Sequence, residues 1–293
     1  MINENSKMKN VIEKAEVLIE ALPYIKKFYG KIVVIKYGGS ALVNPEIKET
    51  IIKDIALMKL VGMKPVIVHG GGPDINLFLD KMDIKPKFIN GLRVTDPETM
   101  QIVEMVLAGK LNKSIVTDIE LQGVKAVGIS GKDGGILSAY KIDNGDVDYG
   151  CVGDVKAVDT SLIETLIDKD FIPVIAPIGK DEKGNTYNIN ADYAGVAIAG
   201  ALNAEKLVFL TDVEGVMKDV HNPNSIMSFI KSSDVQNLIN DGTISGGMIP
   251  KIRCCLAGVE AGVKNVHILD GRVEHCLLLE IFTQKGIGTM ISK

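Results

Sequence analysis

The sequence predicts an α/β fold in which helices cover both faces of a mostly parallel central sheet. From residue 31 onwards, short β-branched runs alternate with longer amphipathic stretches. Such runs are typical of strands buried on both faces, and the alternation favours parallel strands joined by helical crossovers. The chain has 293 residues, 46% of them apolar, which is enough for one large or two medium domains with hydrophobic cores.

The first predicted element is a helix from Met8 to about Leu22, where apolar residues recur on one stripe. Pro23 is expected to interrupt it. This helix precedes the first strand. It either packs on its own domain or docks on another subunit, and we favour the second interpretation.

Six strands and six further helices are predicted after it. The strands lie at 31–36, 65–69, 125–130, 172–176, 207–211 and 265–269. The helices lie at 45–61, 73–82, 97–122, 161–169, 191–202 and 248–262. The polar, glycine-containing segment 138–155 predicts a hairpin or an excursion over the sheet. We expect a domain boundary just before residue 172, although no linker composition marks it.

Composition argues against several classes of function. A net charge of −4 and the absence of Trp do not predict a nucleic-acid surface. The four cysteines form no CxxC pair, so reduced thiols in a reducing cytosol are expected. The charged N-terminal segment does not resemble a signal peptide, and no apolar run approaches the roughly 20 residues of a membrane span. The scattered histidines predict no metal site.

Three segments combine glycines with the end of a strand or the start of a helix, where backbone N–H groups can face an anion. They are Lys36-Tyr37-Gly38-Gly39-Ser40, His69-Gly70-Gly71-Gly72-Pro73 and Gly246-Gly247-Met248-Ile249-Pro250-Lys251. Neither GxxxxGKS/T nor GxGxxG occurs in the chain, which argues against a P-loop and against a dehydrogenase. The pattern therefore predicts phosphate binding without a P-loop.

The two lysines, the three consecutive glycines and the nearby Arg93 each have two interpretations. Lys36 either reaches solvent or is a functional cation at the carboxyl edge of the sheet, where ligands bind in such folds. Lys251 lies in a first helical turn, which normally prefers anions, so a bound polyphosphate is the better explanation. Three consecutive glycines exceed what a tight turn needs and favour a carboxylate-binding or anion-binding nest. Arg93 is either a surface charge or a bidentate clamp for a carboxylate.

Two further segments contain candidate site residues. Asp192 follows Asn188-Ile189-Asn190-Ala191 and is either a helix N-cap or a carboxylate that holds both lysines. Asn188 is able to donate to a substrate oxygen. Thr211 and Asp212 end a buried strand and indicate either a simple turn or a pocket for a nucleotide base and ribose.

Taken together and in this order, the motifs resemble the amino acid kinase family, and Gly91-Leu92-Arg93-Val94-Thr95 resembles its branch that phosphorylates N-acetyl-L-glutamate. The resemblance covers residues 31–293. It implies a three-layer αβα sandwich whose amino-terminal part binds the acid and whose carboxyl-terminal part binds ATP, with Mg²⁺ carried mainly by ATP. The implied divisions are an oligomerisation helix at 1–29, an acid-binding and dimerisation lobe at 30–171 and an ATP-binding lobe at 172–293.

The resemblance also implies a role for each candidate residue. Two lysines stabilise the transferring phosphoryl group and one carboxylate orients them: Lys36, Lys251 and Asp192. Four residues bind N-acetyl-L-glutamate: Gly71, Gly72, Arg93 and Asn188. ATP contacts both lysines and five further residues: Gly38, Gly39, Thr211, Asp212 and Gly247.

The arginine-inhibited members of that branch carry an amino-terminal helix that links dimers into a hexamer, a trimer of dimers, and residues 1–29 resemble it. Five residues resemble parts of their arginine site: Tyr24, Lys206, Glu260, His267 and Gly271. Two alternatives stay open, namely a kinase for another carboxylate or carbamate, and a non-catalytic arginine or nucleotide sensor with the same fold.

Overall fold

An eight-stranded sheet runs through the computed structural model, which describes residues 2–39, 42, 44–143, 145, 147–219, 222, 225–283 and 286–293. Its strands are β1 (Ile32–Tyr37), β2 (Lys64–His69), β5 (Ala126–Ser130), β8 (Ile172–Ala176), β11 (Lys206–Thr211), β12 (Phe229–Lys231), β13 (Asn265–Asp270) and β14 (Thr289–Ser292). Their spatial order is β12-β14-β13-β11-β1-β2-β8-β5. Every neighbouring pair is parallel except β13 and β14. The predicted mostly parallel sheet is confirmed.

Two smaller β structures lie beside this sheet. A hairpin joins β3 (Phe88–Ile89) to β4 (Leu92–Arg93). A closed four-stranded arrangement contains β6 (Leu137–Asp143), β7 (Asp148–Val158), β9 (Ile178–Lys180) and β10 (Thr186–Ile189). The antiparallel pairing of β6 with β7 confirms the predicted hairpin at 138–155.

Helices fill the connections between the strands. They are α1 (Ile2–Phe28), α2 (Pro45–Leu60), α3 (Gly72–Lys81), α4 (Pro97–Glu104), α5 (Asn112–Glu120), α6 (Ser161–Asp168), α7 (Ala191–Ala201), α8 (Val235–Asn240), α9 (Met248–Glu260) and α10 (Cys276–Phe282). The single helix predicted at 97–122 is α4 and α5 joined by a π-helical segment, Met105–Leu111.

Alternate residues of the central strands feed two hydrophobic cores, one on each face of the sheet. Ile35 and Ile67 join the core made with α2, α3, α4, α5 and α10, whereas Val34 and Val66 join the core made with α6, α7, α8 and α9. All four side chains are fully buried. Because successive strand residues point to opposite faces, this double burial produces the three-layer αβα sandwich.

The structure corrects the prediction that Pro23 interrupts the first helix. α1 continues through Pro23 to Phe28. Proline removes one helical hydrogen bond, the one its N–H would donate to Ile19. Phe28 is buried in the core and Tyr24 packs against it, so tertiary contacts offset that loss.

The predicted boundary before residue 172 does not match the order of strands. β8 pairs with β2 on one side and β5 on the other, and β10 pairs with β7. β8 therefore belongs to the same half of the sheet as β2 and β5, and β10 belongs to the same small β structure as β6 and β7. A division at the start of α7 would keep both halves of the sheet intact.

Two structural findings concern the predictions about membrane spans and cysteines. None of the helices in the described ranges has the length and apolar character needed to cross a bilayer. The thiols of Cys151, Cys254, Cys255 and Cys276 are free. The predicted cytosolic location stays a prediction.

Candidate active site

A cavity lies at the carboxyl ends of β1 and β11 and contains most of the predicted phosphate-binding residues. We call it the lysine cavity, because Lys36 and Lys251 line it. Lys36 comes from β1, and Thr211 and Asp212 come from the end of β11. Asp192 projects from the first turn of α7 and Lys251 from the first turn of α9. These residues are up to 215 positions apart in the chain. The fold therefore places both predicted lysines in one cavity.

Lys36 and Asp192 form an ion pair inside this cavity. Lys36 Nζ lies 2.8 Å from Asp192 Oδ1, with side-chain exposures of 16% and 27%. The N-cap of α7 is Asn190, whose side chain accepts from the Asp192 N–H at 2.8 Å. The N-cap interpretation of Asp192 is thus wrong, because Asn190 fills that role and leaves the Asp192 carboxylate to face the lysine.

Lys251 lies in a cationic environment that is only partly balanced by acids. Its side chain is half-buried, and burial lowers the pKa of Lys251, with a further lowering by Lys36. Asp192 and Asp212 have the opposite effect and raise the Lys251 pKa. Two ammonium groups that repel each other next to helix N-termini form a site suited to a polyanion.

The glycines after β1 allow the backbone to lie against charged side chains. Gly39 has a φ of 66°, and a Cβ on it would lie 2.8 Å from Asp212 Oδ1. A Cβ on Gly38 would lie 2.9 Å from Lys36 Nζ. Larger residues at these two positions would displace the charged groups of the cavity. Ser40, the last residue of that motif, lies outside the described residues.

A second pocket adjoins the turn after β11. It is lined by 213–217, by Thr243, Ser245 and Met248 before and at the start of α9, and by Arg272. Thr211 Oγ1 accepts from the Val213 N–H at 3.0 Å and so stabilises the turn. Gly247 is the N-cap of α9, next to Met248. This pocket lies next to the cavity that contains Lys36 and Lys251, because Val213 directly follows Asp212 in the chain.

A third pocket, the acid pocket, contains Arg93 and the other residues predicted to bind the acid. Gly71, Gly72, Arg93 and Asn188 line it together with apolar side chains. Asn190 and Ala191 also line it, and Asp192 follows them in the chain, so this pocket adjoins the lysine cavity. The fold thus brings the four predicted acid-binding residues together.

Arg93 is the most buried charge of the third pocket, with 7% of its surface exposed. Its Nη2 donates to the Gly72 carbonyl at 3.2 Å, and its guanidinium lies 4.7 Å from the centre of the Phe88 ring. Within the described residues, buried Nη1 has no hydrogen-bond partner. Burial lowers the pKa of Arg93. A buried guanidinium with a spare donor is an expected carboxylate site.

Three of the five predicted effector residues lie together at the opposite end of β11, namely Tyr24, Lys206 and His267. Tyr24 of α1 and Lys206 line a pocket together with Glu280 of α10, which we call the effector pocket. Lys206 Nζ donates to His267 Nε2 at 2.9 Å, and His267 Nδ1 lies 2.8 Å from Glu280 Oε1. Burial lowers the pKa of Lys206 to about 8.

Two of the predicted effector residues lie elsewhere. Gly271 follows the far end of β13, where its N–H donates to the Thr211 carbonyl at 2.8 Å, whereas Lys206 pairs with the first residue of β13. Glu260 is the exposed last residue of α9 and does not line the pocket. The acid that does line it is Glu280, which the sequence analysis missed because α10 was not predicted.

The sequence profile of the amino acid kinase family matches residues 31–270. An acetylglutamate kinase of Heliobacterium modesticaldum is 56% identical over 295 residues, which cover 98% of this chain and 100% of that protein.

Solved structures also resemble the fold. An N-acetylglutamate synthase from Neisseria gonorrhoeae, complexed with coenzyme A and N-acetyl-glutamate, has a TM-score of 0.84 and 27% identity, covering 95% of this chain and 63% of that one. The same synthase complexed with coenzyme A and L-arginine has a TM-score of 0.77 and 26% identity, covering 95% and 65%. The chain therefore spans less than two thirds of the synthase's length.

Proposed function

The chain belongs to the amino acid kinase family, and from this premise we propose that it phosphorylates the side-chain carboxylate of N-acetyl-L-glutamate. ATP is the donor, and the product is N-acetyl-L-glutamyl 5-phosphate, an intermediate for arginine biosynthesis. The predicted class of activity, a kinase, is confirmed by the acetylglutamate kinase that covers nearly the whole chain. The identity of the acceptor and the roles of individual residues are part of the proposal.

One observation carries the proposal: the cavity of Lys36, Asp192 and Lys251 adjoins the Arg93 pocket. The first cavity suits the phosphates of ATP and the second suits a small carboxylic acid. Their shared border near Asp192 is where a phosphoryl group would pass from one to the other. Mg²⁺ arrives with ATP as part of the substrate.

The reaction needs charge stabilisation more than proton transfer. The acceptor carboxylate has a pKa of about 4.3 and is ionised at neutral pH. One of its oxygens forms a bond to the γ-phosphorus while the bond from that phosphorus to the ADP oxygen breaks, and no proton has to be removed. Phosphoryl transfer depends on positioning and electrostatics. Lys36 and Lys251 supply positive charge, and Asp192 keeps them in place.

The lining of the third pocket supports an acylated amino acid as the acceptor. Arg93 Nη1 is available for the α-carboxylate. The Gly71 and Gly72 N–H groups are available for other oxygens, as is the second hydrogen of the Asn188 amide, whose Nδ2 donates to Thr95 Oγ1 at 3.2 Å. No acidic side chain is present among its described lining residues. A free α-ammonium would be buried there without a counter-charge, at considerable cost. The neutral amide of N-acetylglutamate avoids that cost.

An acceptor panel tests the proposed substrate. The protein is incubated with ATP, Mg²⁺ and hydroxylamine, together with N-acetylglutamate, glutamate, aspartate or carbamate. Only an acyl phosphate yields a hydroxamate, and we expect it with N-acetylglutamate. A faster reaction with free glutamate, or ATP consumption without hydroxamate, contradicts the proposal.

Alanine substitutions test the two lysines. Removing one pre-aimed charge donor costs roughly 100- to 1000-fold in rate, so Lys36→Ala and Lys251→Ala are each expected to lower kcat by about that factor, with a smaller change in KM. Lys264→Ala is a matched control, because its ion pair with Glu205 lies outside the cavity. Near-normal turnover in either active-site variant contradicts the assignment.

We further propose that arginine inhibits the enzyme by binding beside Lys206. Glu280 suits the guanidinium of arginine, and Lys206 suits its carboxylate. The related synthase complexed with L-arginine supports this choice of ligand. Glu280→Gln is expected to weaken inhibition at least tenfold while uninhibited kcat stays within about twofold. Inhibition of equal strength in the variant contradicts the site.

The exposed helix α1 supports the proposed hexamer. Several of its large apolar residues are solvent-exposed in the single chain: Met8, Ile12, Val17, Leu18, Ile19 and Leu22. An apolar face of this extent is expected to be covered by the same helix of another dimer. Ile12→Glu combined with Ile19→Glu spares the pocket residue Tyr24 and is expected to convert hexamers into dimers in sedimentation. A full-length protein that sediments as a dimer contradicts the assembly.

A further inference from the structure

His69 is a fully buried histidine at the end of β2, directly before the glycines of the acid pocket. Its Nδ1 lies 2.8 Å from the carbonyl oxygen of Gly70. Its Nε2 lies 3.2 Å from Nδ2 of Asn112, the first residue of α5. The phosphoryl-transfer mechanism above uses neither residue.

The surrounding hydrogen bonds determine which nitrogen of His69 carries the hydrogen. Asn112 Oδ1 accepts from Lys113 Nζ at 3.1 Å, so the Asn112 amide nitrogen faces His69. That nitrogen is within 2.9 Å of the Val174 carbonyl and within 3.3 Å of the Ile129 carbonyl, which also identifies it as a donor. The two hydrogens of that nitrogen serve two carbonyls and Nε2, so a hydrogen on Nε2 would face a donor group. The neutral ring therefore carries its hydrogen on Nδ1, which donates to the Gly70 carbonyl.

His69 stays neutral under ordinary conditions. Burial lowers its pKa to about 4. Near neutral pH the ring therefore holds a single hydrogen, and Asn112 fixes its position on Nδ1.

The bond to Gly70 sets the direction of the next N–H group. The Gly70 carbonyl and the Gly71 N–H belong to one planar trans peptide, so they point in opposite directions. A carbonyl held towards buried His69 turns the Gly71 N–H away from the core. Within the described ranges, that N–H has no hydrogen-bond acceptor. Gly71 itself lines the acid pocket.

The π-helical segment Met105–Leu111 packs against Gly71 of this loop. A Cβ on Gly71 would clash with Leu107 and would lie 2.8 Å from Leu111 Cδ2. Asn112 follows this segment directly. π-Helical turns change the direction of the residues that follow them and are frequent at functional sites. The loop is thus held by packing on one side and by the His69 hydrogen bond on the other.

We propose that His69, oriented by Asn112, is a positioning residue that aims the Gly71 N–H at the acceptor acid. The proposal rests on the function proposed for the acid pocket. It assigns His69 no contact with substrate and no proton transfer. Its effect should appear in the KM for the acid, because the KM for ATP depends on the lysine cavity.

Two substitutions of His69 separate positioning from simple packing. Asparagine can place its amide nitrogen where Nδ1 lies and keep the donor to Gly70. Glutamine can place its amide where Nε2 lies and keep the contact with Asn112, but it loses the donor to Gly70. Both replace the ring by a smaller group. A packing role predicts similar kinetics for both variants.

We expect His69→Gln to raise the KM for N-acetylglutamate about tenfold, with the KM for ATP and kcat changed less than threefold. His69→Asn should show a clearly smaller rise in the KM for N-acetylglutamate, even if its melting temperature falls as much as that of His69→Gln. An equal rise in both variants, or an equal rise in the KM for ATP, overturns the proposal.

Asn112→Asp provides a second test that keeps the His69 ring. A carboxylate cannot donate to Nε2 but accepts from it, so in the neutral ring the hydrogen should move to Nε2 and leave Nδ1 facing the Gly70 carbonyl without a donor. The new carboxylate raises the pKa of the ring, so the spectra and kinetics are recorded at a pH above that pKa. Nitrogen NMR of ¹⁵N-histidine-labelled protein should show the Nδ1–H form in the natural chain and the Nε2–H form in the variant, with a KM for the acid raised about tenfold. An Nε2–H form in the natural chain, or a switched form with unchanged KM, overturns the proposal.

The two proposals fail in different ways. If the natural chain makes no hydroxamate from N-acetylglutamate, the proposed function fails and the KM comparison is repeated with whichever acid the panel identifies. If it makes hydroxamate and His69→Gln keeps the natural KM, only the role of His69 fails. The NMR result depends on neither activity.

Discussion

The Lys36–Asp192 ion pair offers the sharpest test of the catalytic site. Asp192→Asn keeps the size of the side chain and removes its charge. The N-cap of α7 is unaffected, because Asn190 provides it. The substitution therefore changes the electrostatics of the cavity with little change in the local fold.

The size of the effect follows from the geometry. Opposite unit charges 2.8 Å apart attract by about 6 kcal/mol at an effective dielectric constant of about 20. Solvent reaches part of both side chains, so the net contribution is smaller. We assign about 3 to 4 kcal/mol of transition-state stabilisation to Asp192, similar to one pre-aimed donor in other enzymes. The expected loss in kcat is roughly 100- to 1000-fold.

The pH dependence provides a second measurement on the same variant. Lys251 must be protonated to assist the phosphoryl group, and Asp192 raises its pKa. Without that carboxylate, the Lys251 pKa falls further, and the alkaline limb of kcat/KM moves to lower pH. Asp170→Asn is the control, since Asp170 pairs with Lys59 at 2.7 Å outside the cavity. A tenfold or smaller loss in kcat, with an unmoved alkaline limb, refutes the role of Asp192.

Three further predictions concern the other parts of the molecule. Arg93→Ala should raise the KM for the acid on the order of 10- to 100-fold with a smaller effect on kcat, and steady-state kinetics with an unchanged KM would count against it. Gly39→Ala should raise the KM for ATP on the order of 10- to 100-fold, because φ is 66° and the new Cβ meets Asp212; normal ATP saturation contradicts this. Arginine inhibition should weaken about tenfold between pH 7 and pH 9 as Lys206, with a pKa of about 8, loses its proton; inhibition that strengthens with pH would exclude the proposed contact.

The central fold was predictable because its signals are local. All six predicted strands and the six crossover helices occur within a few residues of their predicted positions, since buried parallel strands and amphipathic helices each carry a clear pattern. The short strands β12 and β14 and the short helices α8 and α10 carry too few residues for such a pattern. Pro23 was misjudged because the packing of Phe28 decides whether α1 continues.

The candidate site was predictable in its residues but not in its internal contacts. Lys36, Asp192 and Lys251 lie next to glycines or helix starts, which made them recognisable in the sequence. The fold places all three in one cavity. Both Asn190 and Asp192 are residue types that cap helices, so the sequence alone does not decide which of them caps α7. The hydrogen bond from the Asp192 N–H to the Asn190 side chain decides it. Glu280 was missed because the short helix α10 that carries it was not predicted, and its contact with His267 joins two separate elements. Contacts of this kind become visible only in three dimensions.

The arrangement of β11 limits how the proposed effector pocket can act on the lysine cavity. Lys206 begins the strand and Thr211 ends it, so the two sites are separated by five residues of extended chain, roughly 17 Å. An arginine molecule beside Lys206 therefore cannot occupy the space of the ATP phosphates. Inhibition requires two arrangements of the chain that differ in affinity for both ligands. α1 is suited to connect them, because its carboxyl-terminal turn lines the effector pocket while Phe28, in that same turn, is buried in the core that contains Ile35 of β1.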